Sequence, residues 1–375
     1  MSVSFFLARR NLAANRVRFV VSIGGVALAL TLVLALDAIF LGVSNQLSRY
    51  IDDSGADVWV AQNGVRNLHM VASALPASAV DEVRRVPGVE EATPILYVTG
   101  TVTAADEDAV AYVFGLANDA AMGAPREMAA GERRPGPGEA VIDRRAAERL
   151  GVDVADDVII LGRPFRVAGL SEGTSNLINS IAFVTLDDFA SARSLPAVVS
   201  YVLVRVTDGS LPGEVAAAIE TEVAGTTALP RDAFAAEERR LVMDMSGDVI
   251  AIMNGIGFVV GLVVVALTVY VATLARRREY GVLKALGASN RFLYRVVLGQ
   301  AWFSVAAGLL VGLGFTAGLA IVVARAGFDL ELAIGIQSVA KVVAAAVAIA
   351  MLAALLPIRQ IAELNPATVF RRGGP

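Results

Sequence analysis

Arg276-Arg277-Arg278-Glu279-Tyr280-Gly281-Val282-Leu283-Lys284-Ala285-Leu286-Gly287-Ala288-Ser289 is the stretch that decides the fold. It lies between two long apolar runs, so it reads as a short loop pinned at a membrane surface. Glu279 to Leu286 is long enough for about two turns of helix. Tyr280, Leu283 and Leu286 lie three apart and form one apolar stripe. Gly287 is placed to end that helix, and Ser289 to cap the next. A small amphipathic helix held between two membrane spans is built to press on something in the cytoplasm.

The flanking runs follow from composition. The chain is 56% apolar with a mean hydropathy of +0.63, too apolar for an ordinary soluble domain. A bilayer-crossing helix needs roughly 20 apolar residues. Four segments meet that need: residues 19–43, interrupted only by Asp37; residues 249–275; residues 296–324; and residues 339–358, with Lys341 near its start. The first is too long for the core of a secretory signal and no A-x-A-like site follows, so a retained span is expected.

Arg and Lys in the short flanks set the expected orientation. Arg9, Arg10, Arg16 and Arg18 precede the first span. Arg276, Arg277, Arg278, Lys284, Arg291 and Arg295 fall in the loop 276–295, and Arg359, Arg371 and Arg372 in the tail 359–375. The loop 325–338 carries Arg325 against Asp329 and Glu331. Four crossings place all the basic flanks on one side. Both termini and the 276–295 loop are therefore expected in the cytoplasm of an inner or plasma membrane, with residues 44–248 outside. That outer segment holds 17 Arg against 31 Asp and Glu, although the whole chain carries only -4.

Residues 1–18 read as a basic amphipathic helix lying in the headgroup layer. Residues 44–248 have the texture of a folded α/β (α+β) domain. Strands are predicted at 57–61, 89–97, 98–104 and 109–116, and a helix at 76–85. Asp106-Glu107-Asp108 reads as a solvated hairpin tip. The loop Arg133-Arg134-Pro135-Gly136-Pro137-Gly138 opens a β-rich subdomain inserted over about 132–196. A strand at 201–206 and a helix at 212–223 then repeat the first strand–helix pair. A helix over 232–248 leads straight into the second span. The expected fold is thus a four-span α-helical membrane protein with a large α/β domain between spans one and two.

The motifs exclude some chemistry. Lys284 and Lys341 are the only lysines, and neither sits in a Gly-x-x-x-x-Gly-Lys-Ser/Thr phosphate loop. The chain has no cysteine and one histidine, His69, so no thiol site and no multi-histidine site can be built. The outer domain shows no Ser/His/Asp or metal-ligand grouping, so an enzyme is the least favoured reading. The chain is therefore not expected to bind ATP through such a loop.

The order Arg278, Glu279, Gly281, Leu283, Lys284, Ala285, Leu286, Gly287, Ala288 resembles the FtsX-like, MacB-type family of ABC-transporter permeases. Their pattern is a basic run followed by Glu-x-Gly-x-Leu-(Lys/Arg)-Ala-(Leu/Ile)-Gly-Ala after the second span. Arg10-Asn11-Leu12, Asn15-Arg16-Val17-Arg18 and Gly24-Gly25 look like the family's opening. Pro357, Ala362, Asn365-Pro366 and Arg371 look like its close, though the family more often has Asp and Leu where this chain has Asn365 and Phe370. Glu139-Ala140-Val141-Ile142-Asp143 and Phe183-Val184-Thr185 resemble its periplasmic core domain.

The resemblance implies that Arg278, Glu279, Tyr280, Gly281, Leu283, Lys284, Leu286 and Gly287 form a coupling helix that docks on a separate ABC ATPase. It further implies two permease copies and two ATPases, with ATP–Mg held only by the partner and no cofactor in this chain. Membrane lipids and an extracytoplasmic protein are further expected partners; nucleic acid is not. Two mechanisms fit: export or extraction of an amphiphile or peptide at the outer face, and transmission of force to an extracytoplasmic enzyme or receptor without transport. A membrane-anchored sensor without an ATPase is the third reading.

Three features remain. Gly257 and Gly261, Gly308 and Gly312, and Gly314 and Gly318 are each four apart, a spacing that lets helices approach closely, and packing within one subunit is favoured over a dimer seam. Asp37 is a functional candidate as an intramembrane acid, but its place near the outer surface favours a helix end reaching water. His69 is expected to be a surface or hydrogen-bonded residue.

Overall fold

The computed structural model describes residues 16–363 except 106, 119–120, 176–178, 195–196 and 327–329. In chain order the helices are α1 (Arg16–Asp53), α2 (Ser78–Arg84), α3 (Arg144–Leu150), α4 (Leu186–Arg193), α5 (Pro212–Glu222), α6 (Arg231–Ala275), α7 (Arg277–Ala285), α8 (Asn290–Arg325), α9 (Ile336–Ala353) and α10 (Leu355–Ala362). Most of the basic segment 1–18 and the tail motif Asn365-Pro366 to Arg371 lie outside the described residues.

The chain divides into two compact units. One comprises described residues up to Gly42 and from Ser246 onward, and contains the four apolar helices. The candidate spans are Ile23–Asp53, Gly247–Ala275, Asn290–Arg325 and Ile336–Ala362. Half of the most apolar window of α1 is buried, against 17% for that of α6, so α1 is the helix the others enclose. Small residues make this enclosure possible. A methyl group added at Gly308 would stand 2.5 Å from Val26 Cγ1, and one at Gly257 would stand 2.6 Å from Val33 Cγ2. One at Gly312 would meet the Ala27 carbonyl at 3.2 Å, and one at Gly261 would meet Ile349 Cδ1 at 3.1 Å.

Gly314 and Gly318 differ: an added methyl would meet nothing within 4 Å at either. The assignment of these two to packing within the chain is corrected. Gly314 follows Gly308 by six residues, about 240° round the helix, which turns it off the seam. Gly308→Ala is therefore expected to destabilise the bundle by about 1–3 kcal/mol through overpacking. Gly318→Ala should not. Thermal unfolding of the two variants in detergent checks this, and equal melting would sink the packing argument.

The second unit, Val43–Met245, is α/β. Its strands are β1 (Val58–Gln62), β2 (Leu75–Pro76), β3 (Val89–Ala104), β4 (Glu107–Leu116), β5 (Glu127–Gly131), β6 (Glu139–Asp143), β7 (Asp157–Ile160), β8 (Arg163–Glu172), β9 (Ser180–Thr185), β10 (Val198–Val199), β11 (Tyr201–Val206) and β12 (Thr226–Pro230). The main sheet runs β12-β1-β11-β3-β4-β9-β6-β8-β5, and β10 pairs with β2 apart from it. Strand β7 pairs with both β3 and β8, which closes β3-β4-β9-β6-β8-β7 into a ring. Val102, Val113, Ile142, Phe165 and Val184 belong to one buried cluster of ring strands.

The open part of the sheet is buried on both faces. Val58 and Val60 of β1 join a cluster with α2 and α5, while Trp59 and Ala61 join one with Tyr201 and Phe234. This is the two-residue alternation of a strand. Helix ends follow local chemistry. The Asp143 side chain accepts from Arg145 N at the start of α3, and Gly151 ends that helix at φ 67°. Pro212 opens α5, where a missing N–H costs nothing. The expected break between 97 and 98 is absent, because β3 runs unbroken beside β4. The strands of the 132–196 stretch belong to the same sheet as β3 and β4.

Candidate functional site

Helix α7 is the element on which the sequence reading centred. Arg276 leaves helical geometry at φ -109°, ψ 17° and so separates α6 from α7. At the other end Gly287 takes φ +94°; its N–H donates to the Lys284 carbonyl and that of Ala288 to the Leu283 carbonyl. These two bonds are a Schellman stop, which needs a residue free to adopt positive φ. Ser289 Oγ then accepts from Phe292 N at 3.4 Å and starts α8.

The helix has a buried face and an exposed face. Tyr280 is 2% exposed and packs in a cluster with Val269, Leu293, Val296, Val297 and Ile361, with Leu283 beside it. Burial pushes the Tyr280 phenol pKa up, with Gln300 and Arg276 pulling it the other way. Gly281 is buried as well. Lys284 Nζ donates to the carbonyls of Ile361 at 2.8 Å and Ala362 at 3.1 Å. A cation there satisfies the open end of α10. The opposite face shows Glu279, Val282 and Leu286, spaced three and four apart, with Arg278 and Ala285 exposed on the far side of Val282. Val282 is 41% and Leu286 80% exposed. Glu279, itself exposed, pairs with the mostly buried Arg276 at 3.1 Å.

The single stripe Tyr280–Leu283–Leu286 is thus corrected. Tyr280 and Leu283 hold the helix to its own bundle. Leu286 falls at the end of the helix, past the last turn, and faces away. Val282 and Ala285 belong to the outward face and were missed. Counting back from Leu286 by four and by one would have found them.

A second constellation lies in the α/β unit. Glu238 of α6 is 1% exposed. Its Oε1 lies against Nδ1 of His69, and its Oε2 accepts from Leu68 N at 2.6 Å. The His69 ring stands 4.4 Å from that of Tyr112. Phe234 stacks on Trp59 at 5.1 Å. Arg239 donates to Ser48 Oγ at 2.7 Å and to Asp52 at 3.3 Å. Residues 234–239 therefore grip β1, the 66–69 loop and the end of α1. His69 is hydrogen-bonded and mostly buried, and it lines a cavity of about 170 Å³ with Arg49, Asp53, Tyr112, Arg126 and Glu172. Among the described residues, no group of three or more His, Cys, Asp or Glu could hold a metal.

Asp37 does not reach water. It is 6% exposed, accepts from Asn254 Nδ2 at 3.4 Å, and lies 3.7 Å from Lys341 Nζ. The expectation of a solvated helix end failed because two other spans, α6 through Asn254 and α9 through Lys341, meet α1 at that position.

Comparison with known proteins gives two family matches. The MacB-like periplasmic core domain matches residues 19–222, and the FtsX-like permease C-terminal matches residues 251–366. An uncharacterized ABC transporter permease of Mycobacterium tuberculosis (strain H37Rv) is 23% identical over 373 residues, covering 99% of both chains. A probable syringafactin export ATP-binding/permease protein of Pseudomonas syringae pv. tomato is 24% identical over 398 residues, covering 98% of this chain and 58% of that one. Among solved structures, the periplasmic region of MacB from Actinobacillus actinomycetemcomitans aligns with 48% of this chain and 92% of its own. Its identity is 13% and its TM-score 0.37.

Proposed function

The chain belongs to the FtsX-like, MacB-type family of ABC-transporter permeases, and from this premise we propose that it couples ATP hydrolysis by a separate ATPase to export or extraction of an amphiphile or peptide. Two ATPase copies dock on the outward faces of α7 from two permease copies. Both termini and α7 lie in the cytoplasm, as the clustering of Arg and Lys around 276–295 favours.

The observation that carries the reading is the division of labour on α7. Tyr280 and Lys284 are spent on anchoring, so a push on Glu279, Val282 and Leu286 moves the helix with its bundle rather than peeling it away. The Pseudomonas relative, named for syringafactin export, favours transport as the output. In proteoliposomes holding permease and ATPase, an amphiphilic substrate should stimulate ATP hydrolysis, and Leu286→Asp should remove the stimulation.

One observation favours the second reading, force transmission without transport. Helix α6 is continuous from Arg231 to Ala275, and its first turns are gripped by Phe234, Glu238 and Arg239. A continuous helix with a fixed root is a fit carrier of force between two arrangements. Stimulation by an external protein, with none by any amphiphile, would decide for this reading.

A further inference from the structure

We propose that Asp37 and Asn254 form a site for the protonated amine head of an amphiphile, with Lys341 as the resident cation that the ligand displaces. The proposal rests on the amphiphile-export reading and names the head group.

Asp37 is the only charge in the apolar stretch 19–43, and it is 6% exposed. A carboxylate in such surroundings needs donors. One comes from Asn254 Nδ2, at 3.4 Å from Oδ1. The other oxygen, Oδ2, has Lys341 Nζ at 3.7 Å, beyond hydrogen-bond length. The amide oxygen of Asn254 is buried and has no partner. Two acceptor oxygens from two helices thus lack a donor within bonding distance. A primary ammonium carries three N–H donors and a full charge, which suits this pair better than a hydroxyl or a quaternary amine.

Lys341 already supplies such a group but holds it loosely. Its side chain is 70% exposed, and its neighbours one turn away on the same face, Gln337 and Ala344, are exposed as well. That flank is open on a helix apolar enough to cross a membrane, so an amphiphile can arrive sideways from lipid with its chain in hydrocarbon and its head beside Asp37. The long lysine stem can swing its charge outward to make room.

The test uses the full chain alone in phosphatidylcholine nanodiscs, without any ATPase. A fluorescent alkylamine with a free amine is titrated beside its alcohol and trimethylammonium analogues, and empty discs give the background. The free amine should bind saturably and the two analogues more weakly. Asp37→Asn should weaken amine binding by about tenfold or more, the loss expected when charge leaves a hydrogen-bonded ammonium contact. Asp37→Glu should retain binding. Lys341→Met should tighten it, because the competitor is gone.

This opposite sign separates a binding site from a brace. If the pair only braces the bundle, Lys341→Met weakens binding together with Asp37→Asn, and the proposal falls. It also falls if Asp37→Asn binds as wild type does. Should Asp37→Asn not fold, the direction of Lys341→Met decides alone. Replacing choline lipid by ethanolamine lipid identifies the natural source. Lowered probe affinity marks a lipid amine, and unchanged affinity marks an exported amphiphile; both support an ammonium site. ATPase docking plays no part in the readout, so its failure and this one are distinguishable.

Discussion

Leu286→Asp permease is expected to purify from membranes without its ATPase, at least about 100-fold depleted relative to wild type. Leu286 is 80% exposed, and the stop at Gly287 is made by backbone bonds, so the substitution costs the permease nothing it uses to fold. At a docked interface the same carboxylate would be desolvated without a partner, a penalty of several kcal/mol. Val282→Asp should act in the same direction. The control is Leu211→Asp in the α/β unit, where the leucine is 61% exposed and the variant should recover ATPase as wild type does. Tyr280→Ala supplies a contrast. It removes an anchor rather than a contact, so it should lower the melting temperature of the permease as well as ATPase recovery. Full ATPase recovery with Leu286→Asp would remove α7 from the interface.

The contrast between Leu286 and Tyr280 shows where the sequence stops being informative. The end of α7 was legible because Gly287 and Ser289 act within a few residues of themselves. Which face of α7 meets a partner was not, since apolar residues lie on both sides and only the surrounding helices choose between them. The same limit explains the glycines. Four-residue spacing identified close-approach helices, yet only the fold distinguishes Gly308, set against Val26, from Gly318, set against nothing. In the α/β unit the strands β1 and β11 were readable. The ring closed by β7 was not, because pairing between Val102 and Ile160 leaves no local trace. Glu238 was hidden for a related reason: nothing in Glu237-Glu238-Arg239-Arg240, within the helix expected over 232–248, sets one carboxylate apart, and its burial depends on a loop 170 residues earlier.

That hidden residue yields the second large effect. Glu238→Ala is expected to destabilise the α/β unit by about 3 kcal/mol, the cost of breaking a buried, hydrogen-bonded pair by removing one partner. The substitution orphans Leu68 N and the His69 ring at once and opens a cavity beside the Trp59–Phe234 stack. Glu237→Ala, one residue away, should cost at most about 0.5–1 kcal/mol, because its pairs with Arg66 and Arg240 stand in solvent. Limited proteolysis of the full chain in nanodiscs, followed through cleavage between residues 43 and 245, separates the two variants. Alkali should expose the same core from another side. Burial, above all, raises the pKa of Tyr97 and Tyr201, with the charge of Glu238 adding to the rise. Unfolded, these phenols ionise near about pH 10; folded, they stay neutral beyond it. Their contribution is therefore complete below about pH 10 and is lost as pH rises further. Phe at both positions should flatten that alkaline loss. A Glu238→Ala protein as resistant to protease as Glu237→Ala would mean that the root of α6 is held by Phe234 and Arg239 alone.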